Sequence, residues 1–259
     1  MLNRASKPFV KLVERYLPDP YIFVLLLTLI TLVFAVVIQG QSPLTTVQQW
    51  GDGFWGLLTF SMQMLLVLVT GFMLACTPLV KALLERLASV AKSPGSAIVL
   101  VTLVSLIASW INWGFGLVVG ALFAKALARK VTVDYRLLVA SAYSGFIVWH
   151  GGLAGSVPLT IATPGHFSEA QIGVMSTSET IFSGFNLLLL AIMFVVIPLV
   201  NRLMLPPKSE SVIVDSTKLQ DDALPSAENE RPADKLENSK ALGLLVGFAG
   251  LAYLTNYFV

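Results

Sequence analysis

The chain has 259 residues, of which 56% are apolar and only 12% charged, with a mean hydropathy of +0.78; ordinary soluble domains carry about 25% charged residues. So few polar side chains cannot coat a globule in water, which excludes a soluble enzyme, a disordered chain and a nucleic-acid binder. Seventeen basic and fifteen acidic residues leave a net charge of only +2, and the lone cysteine, Cys76, excludes an intramolecular disulfide and a cysteine-cluster metal site.

The composition implies an all-α integral membrane protein. Roughly 20 apolar residues cross a bilayer as a helix, so stretches free of Asp, Glu, Lys and Arg locate the membrane segments. Residues 1–20 carry Arg4, Lys7, Lys11 and Arg15. With Phe9, Val10, Val13 and Leu17 on the opposite face, they read as a helix lying in the membrane interface, not a cleaved signal peptide. Residues 21–38 form the first span and 54–80 the second. Trp50 and Trp55 suit an aromatic belt at its start, Met62, Gln63 and Met64 face neighbouring helices, and Cys76 sits beside a kink at Pro78. A third stretch covers 93–124, a fourth 137–168, a fifth 180–200 and a sixth 241–259. Residues 21–205 thus make a membrane unit. Residues 206–240 hold eight acids, five bases and no aromatic residue, the composition of a flexible linker. The last span ends at Tyr257-Phe258-Val259 without a hydrophilic tail, as an interrupted protein would.

The basic residues set the orientation. All seventeen fall in 1–20, 81–92, 125–136 and 201–240, and none in 39–53 or 169–179. The N-terminus is therefore expected in the cytoplasm, with 39–53 and 169–179 outside. Residues 93–124 then enter and leave on one side. They form either a re-entrant hairpin of two short helices, with its tip in Ser109-Trp110-Ile111-Asn112-Trp113-Gly114-Phe115-Gly116, or one tilted span that breaks the charge rule. The fourth stretch runs as helix to Trp149 and is then interrupted by His150-Gly151-Gly152-Leu153-Ala154-Gly155-Ser156-Val157-Pro158. Two prolines and four glycines between His150 and His166 exclude a regular helix. Either this is a broken helix lining a cavity, or the span ends near Gly152 and an external loop follows.

No catalytic constellation is visible, so an enzyme is not expected, and neither histidine has metal-ligand spacing to a partner. Ser109 and Asn112 offer a hydroxyl and an amide at the tip, suited to a cation or a carboxylate; Asn112 equally suits a helix cap or interhelical bond. His150 is either a proton-coupling group or an interfacial histidine bonded to loop backbone. Thr160 and Thr163 either offer hydroxyls to a carboxylate or cap the following helix. Trp110, Trp113 and Trp149 wall a small apolar pocket or belong to an aromatic belt. Gly116 with Gly120, and Gly151 with Gly155, have the spacing of close helix packing.

The two motifs at 109–116 and 149–158, with Pro8-Phe9 and Tyr16-Leu17-Pro18-Asp19-Pro20, resemble the bacterial short-chain fatty acid transporters of the AtoE type across essentially the whole chain. That family is similar to the wider ion-transporter superfamily, in which inverted repeats each hold a re-entrant hairpin and a broken helix. The resemblance implies a secondary transporter of the bacterial cytoplasmic membrane for acetoacetate, butyrate and similar monocarboxylates, coupled to H+ or Na+ without other cofactors. It also implies a site at Ser109, Asn112, Gly114, His150, Gly151, Gly152, Ser156, Thr160 and Thr163. The chain matches the first repeat plus one helix of a family about twice its length, so it is expected to be the N-terminal part of a longer protein. A second copy is a candidate partner for completing the site. The competing class is a membrane interaction protein whose breaks serve packing alone.

Overall fold

The computed structural model describes residues 2–17, 19–56, 58–166, 168–215, 219 and 239–258. Most of the linker expected at 206–240 therefore lies outside the described residues. The chain divides into a unit over 1–219 and a second over 220–259. The first contains α1 (Leu2–Tyr16), α2 (Pro20–Val37), α3 (Pro43–Gly56), α4 (Leu58–Ala75), α5 (Pro78–Ala88), α6 (Pro94–Ile111) and α7 (Trp113–Lys130). It continues through α8 (Tyr135–Ser144), a 3-10 helix (Gly145–Gly151), α9 (Ser156–Ile161), α10 (Glu169–Ile172), α11 (Gly184–Leu203) and a 3-10 turn (Lys208–Glu210). The second unit contributes α12 (Lys240–Phe258). No strand occurs among the described residues.

The fold is all-α, with four helical segments long and apolar enough to cross a membrane, or five if the bent pair α4–α5 counts as one. Helix α2 is apolar on every side and buries none of its side chains, as a span facing lipid does. Helices α6 and α7 are an antiparallel hairpin joined by one residue, Asn112. Its extended backbone ends α6, while its side chain caps α7. Their register is set by small residues: a Cβ on Gly116 would lie 2.5 Å from the backbone of Ser109, and one on Gly120 would lie 3.0 Å from the Ser105 hydroxyl. Behind that seam Ile98, Val101, Phe123, Leu127 and Leu138 are fully or almost fully buried between α6, α7 and α8.

Several elements differ from expectation for identifiable reasons. Each hairpin arm has 18 residues, about 27 Å of helix, and is longer than a half-depth arm. Helix α7 carries Lys125, Arg129 and Lys130 on its last turns rather than in a loop. Residues 43–56, expected mainly as connecting chain, form α3, because Pro43 opens the helix and the Ser42 hydroxyl accepts from Thr45 N–H at 3.1 Å. The second span is bent by 64° at Cys76–Thr77, between Ala75 and Pro78, where Thr77 caps α5. Helix α11 begins at Gly184, not 180, because Ser183 is its cap.

The segment after α11, expected to be part of a flexible linker, is held as far as Val212 at the base of α8. Asp134 Oδ1 accepts from Leu137 N–H at 2.9 Å, Asp134 Oδ2 accepts from Val212 N–H at 2.8 Å, and Tyr135 N–H donates to Val212 O at 2.9 Å. Glu85 joins α5 to α7 through Arg129 at 2.6 Å and Lys130 at 3.0 Å.

Burial alone would raise the Asp134 carboxyl, but the Val212 and Leu137 amides and Arg136 together bring it below its ordinary value. A depressed folded value stabilises the fold above the ordinary aspartate range and loses that contribution as pH falls through it. Asp134→Asn should therefore lower the thermal midpoint at neutral pH, and the gap from the parent should close as pH drops below about 3.9. A thermal scan in detergent against pH checks this. In the same assay Gly116→Ala should cost about 1–3 kcal/mol by overpacking against backbone. Gly243→Ala, with nothing within 4 Å of the new methyl, should cost nothing.

Candidate functional site

Helix α8 stops at Ser144, five residues before the expected break at Trp149. The cause lies on α6. The Ser105 hydroxyl donates to the Ala142 carbonyl, and Ser144 Oγ donates to the Ser141 carbonyl at 2.7 Å; hydroxyls bonded to helix carbonyls favour tightening and bending. Gly145 then passes so close to Ser105 that a Cβ would lie 2.5 Å from its hydroxyl and 2.6 Å from its carbonyl carbon. The chain continues as 3-10 helix, in which residues three apart lie on one side, so Phe146 and Trp149 both reach Trp113 at the hairpin tip.

The break is clamped to the tip. Leu153 N–H donates to the Trp110 carbonyl at 2.7 Å, and Gly152 fits over that carbonyl where any Cβ would collide with it. Trp113 lies 5.4 Å from Trp149 and 6.4 Å from Phe146 between ring centroids, with Phe146 and Trp149 4.9 Å apart. Tyr143 extends the cluster at 6.0 Å from Phe146. His150, exposed, stacks on Trp149 at 4.2 Å. The two motifs singled out in the sequence thus meet. Trp110 instead packs inward against Leu106, Val148 and Leu190, so only Trp113 and Trp149 share the aromatic face.

The polar candidates divide. Asn112 Oδ1 accepts from Phe115 N–H at 3.0 Å, so its oxygen is committed to capping α7. Thr160 Oγ1 donates back to Ser156 O at 2.7 Å and Thr163 Oγ1 to Leu159 O at 2.8 Å. Both hydroxyl protons thus go to the preceding helical turn, and neither residue caps a helix. Ser156 Oγ is 3.9 Å from Met64 Sδ, which brings α9 against α4. Gly114 lies where α7 crosses α4, its hypothetical Cβ 3.0 Å from the Leu68 Cα. Gly151 abuts Asn186, whereas Gly155 folds against His150 O of its own turn. Three donors stand apart from all of these. The Ser109 and Ser141 hydroxyls, fully or almost fully buried, and the Trp149 indole Nε1 are without a hydrogen-bond partner among the described residues. Buried donors left unpaired cost about 1–3 kcal/mol each, so each calls for a reason.

Two asparagines on α11 escaped the sequence reading. Asn186 Nδ2 donates to Gly151 O at 3.0 Å and Ile181 O at 2.7 Å, holding the end of the 3-10 helix. Asn201 Nδ2 donates to Thr102 Oγ1 at 3.1 Å and Ser144 Oγ at 2.8 Å, tying α11 to α6 and α8. The available signal was an amide at each end of an apolar run, since intramembrane amides favour interhelical bonds. Beside Asn186 a cavity of about 240 Å³ is lined by His150, Gly151, Ile147, Leu189 and Met193. Among the described residues no group of three His, Cys, Asp or Glu converges to hold a metal ion.

The model of the family described as Short chain fatty acid transporter matches residues 1–259. The chain is 46% identical over 264 residues to a protein of Escherichia coli (strain K12). It is 40% identical over 269 residues to one of Haemophilus influenzae (strain ATCC 51907 / DSM 11121 / KW20 / Rd). Both relatives are named for short-chain fatty acid transport, and each alignment covers 100% of this chain but 60% of the relative. The chain thus spans about three fifths of the length of these relatives. No solved structure matches it.

Replacing Asn186 by Leu leaves the Gly151 and Ile181 carbonyls without their donor, at about 1–3 kcal/mol. Hydrogen–deuterium exchange should accelerate in residues 145–153 of that variant, while the buried hairpin seam at 98–109 keeps its protection.

Proposed function

We propose a transport role, starting from the fact that the chain belongs to the short chain fatty acid transporter family and is a multi-pass membrane protein. The substrate is a small monocarboxylate such as butyrate or acetoacetate, carried across the bacterial cytoplasmic membrane and coupled to a proton or sodium gradient. The end bearing Lys92, Lys130 and Lys208 faces the cytoplasm, following the distribution of basic residues.

The observation that supports this reading is the buried, unpaired indole N–H of Trp149, whose ring packs with Trp113, Phe146 and His150. A carboxylate is an acceptor-only group, and one oxygen placed on Nε1 satisfies a donor that the protein leaves buried. The short alkyl chain then covers the neighbouring rings, at about 0.8 kcal/mol per buried methylene. That scale distinguishes chain lengths without demanding a long acyl tunnel. Ser109 offers a further unpaired hydroxyl at the hairpin end, and the exposed His150 imidazole stacks on Trp149. Movement of the hairpin and break relative to the other helices changes which side reaches the aromatic face.

The committed cap at Asn112 and the back-bonded threonines favour a role in packing for those residues, and packing alone is the competing reading. Uptake of labelled butyrate and acetoacetate into cells expressing the chain separates the two. Trp149→Phe keeps an aromatic ring and removes the N–H, so it should insert normally and lose about tenfold or more in apparent affinity, the worth of a hydrogen bond to a charged group. Saturable uptake that Trp149→Phe leaves unchanged would remove Trp149 from the site. Well-inserted parent protein without uptake would remove transport by this chain on its own.

A further inference from the structure

A second cavity, of about 570 Å³, opens at the opposite, basic end of the hairpin, between the loop before α6, the end of α7 and the segment after α11. This is within the range of about 300–1,000 Å³ typical of ligand sites. Its charged lining is Lys92, Lys130, Lys208 and Asp134. Two of these are spent on the fold. Lys130 Nζ donates to Glu85 O at 2.6 Å and Ser89 Oγ at 2.8 Å and pairs with Glu85 Oε2 at 3.0 Å. Asp134 is consumed by Leu137, Val212 and Arg136. Lys92 and Lys208 have no partner among the described residues. The cavity therefore presents two uncompensated positive charges above a wall of Val131, Val133, Leu205 and Ile213.

Cations beside an apolar wall match an amphiphilic anion better than a water-soluble one. The depth of the site agrees. Its wall includes Lys208 and Ser211, and between them Glu210 pairs with Lys7 of α1 at 2.7 Å. Helix α1 exposes Phe9, Val10, Leu12 and Val13, the apolar face of a helix lying at the headgroup boundary. The pair thus ties the cavity wall to a helix whose level is that of the lipid phosphates.

We propose that this cavity binds the phosphate of an anionic phospholipid between Lys92 and Lys208, with the lipid's glycerol and first acyl carbons against Val131, Val133, Leu205 and Ile213. The lysine stems lie along that apolar wall while their ammonium groups meet the phosphate. One side of the cavity is the chain segment held by Asp134 and Tyr135 through Val212. A bound lipid therefore also fastens that segment to the base of the hairpin.

The test uses the whole chain in a neutral detergent, with phosphatidylglycerol, phosphatidylcholine and inorganic phosphate as separate probes, read by native mass spectrometry and by thermal midpoint. Phosphatidylglycerol should remain bound and raise the midpoint, whereas phosphatidylcholine should not. Lys92→Ala with Lys208→Ala should weaken phosphatidylglycerol at least tenfold, and Lys92→Arg with Lys208→Arg should retain it. Lys11→Ala with Arg15→Ala, which removes charge from α1 outside the cavity, should also retain it. Equal retention of phosphatidylglycerol by the parent and the double alanine variant, or equal binding of phosphatidylcholine, overturns the proposal. Inorganic phosphate binding as tightly as the lipid overturns it in favour of a soluble anion. A double alanine variant with a lowered midpoint before any lipid is added is replaced by Lys208→Ala alone, for which the same weakening supports the proposal and its absence overturns it.

Discussion

Everything in the first unit depends on the closeness with which α6 and α7 approach one another. A hairpin turned by a single residue forces its first facing pairs almost into backbone contact, and only Gly116 opposite Ser109 and Gly120 opposite Ser105 allow that. In a bilayer the lipid tails are as apolar as the helix surfaces, so association rests on packing and hydrogen bonds rather than on expulsion of water. Small residues at the seam supply the packing. They also leave serine hydroxyls facing the next layer, and one of these decides where α8 ends.

That chain of consequence runs from one side chain to the site. Ser105 donates to the Ala142 carbonyl, Gly145 fits against Ser105 just beyond, and the chain tightens into a 3-10 helix. The change of pitch brings Phe146 and Trp149 to Trp113, and the Trp110 carbonyl then receives Leu153 N–H. Asn186 and Asn201 on α11 secure the two ends of the same segment. The irregular backbone is thus surrounded by protein groups that satisfy it, the condition for such structure at membrane depth. What is left unsatisfied among the described residues is narrow: the Trp149 indole N–H and the hydroxyls of Ser109 and Ser141.

Much of this was legible in the residues. The apolar runs marked the helices, and the glycines and prolines after His150 marked an irregular stretch. The tip was readable at Asn112 because a polar residue between two tryptophans and two glycines interrupts an otherwise apolar run. Other features were not, and the reasons are physical. The end of α8 at Ser144 is set by a hydroxyl 37 residues away, which no local propensity contains. The docking of Val212 on Asp134 spans 78 residues and runs against a composition that reads as linker. Helix α3 was missed although Ser42-Pro43 is a start signal, because its Gly51-Asp52-Gly53 segment lacks helical periodicity. By residue type Asn112, Thr160 and Thr163 suit either ligand groups or helix caps and packing, and in the structure their hydrogen bonds go to helix backbone. Residue type shows what a side chain is able to do; the neighbouring carbonyls and amides decide whether it remains available.

The transport proposal rests on a carboxylate accepting from the buried Trp149 indole N–H. The indole 1H–15N resonance of Trp149, assigned by its loss in Trp149→Phe and followed while butyrate is added to the chain in detergent, tests this most directly. A saturable downfield shift of that resonance is expected with butyrate and none with butanol, which shares the alkyl chain but lacks the carboxylate. A resonance that stays still as butyrate is raised to saturation, or that moves equally with butanol, would contradict it.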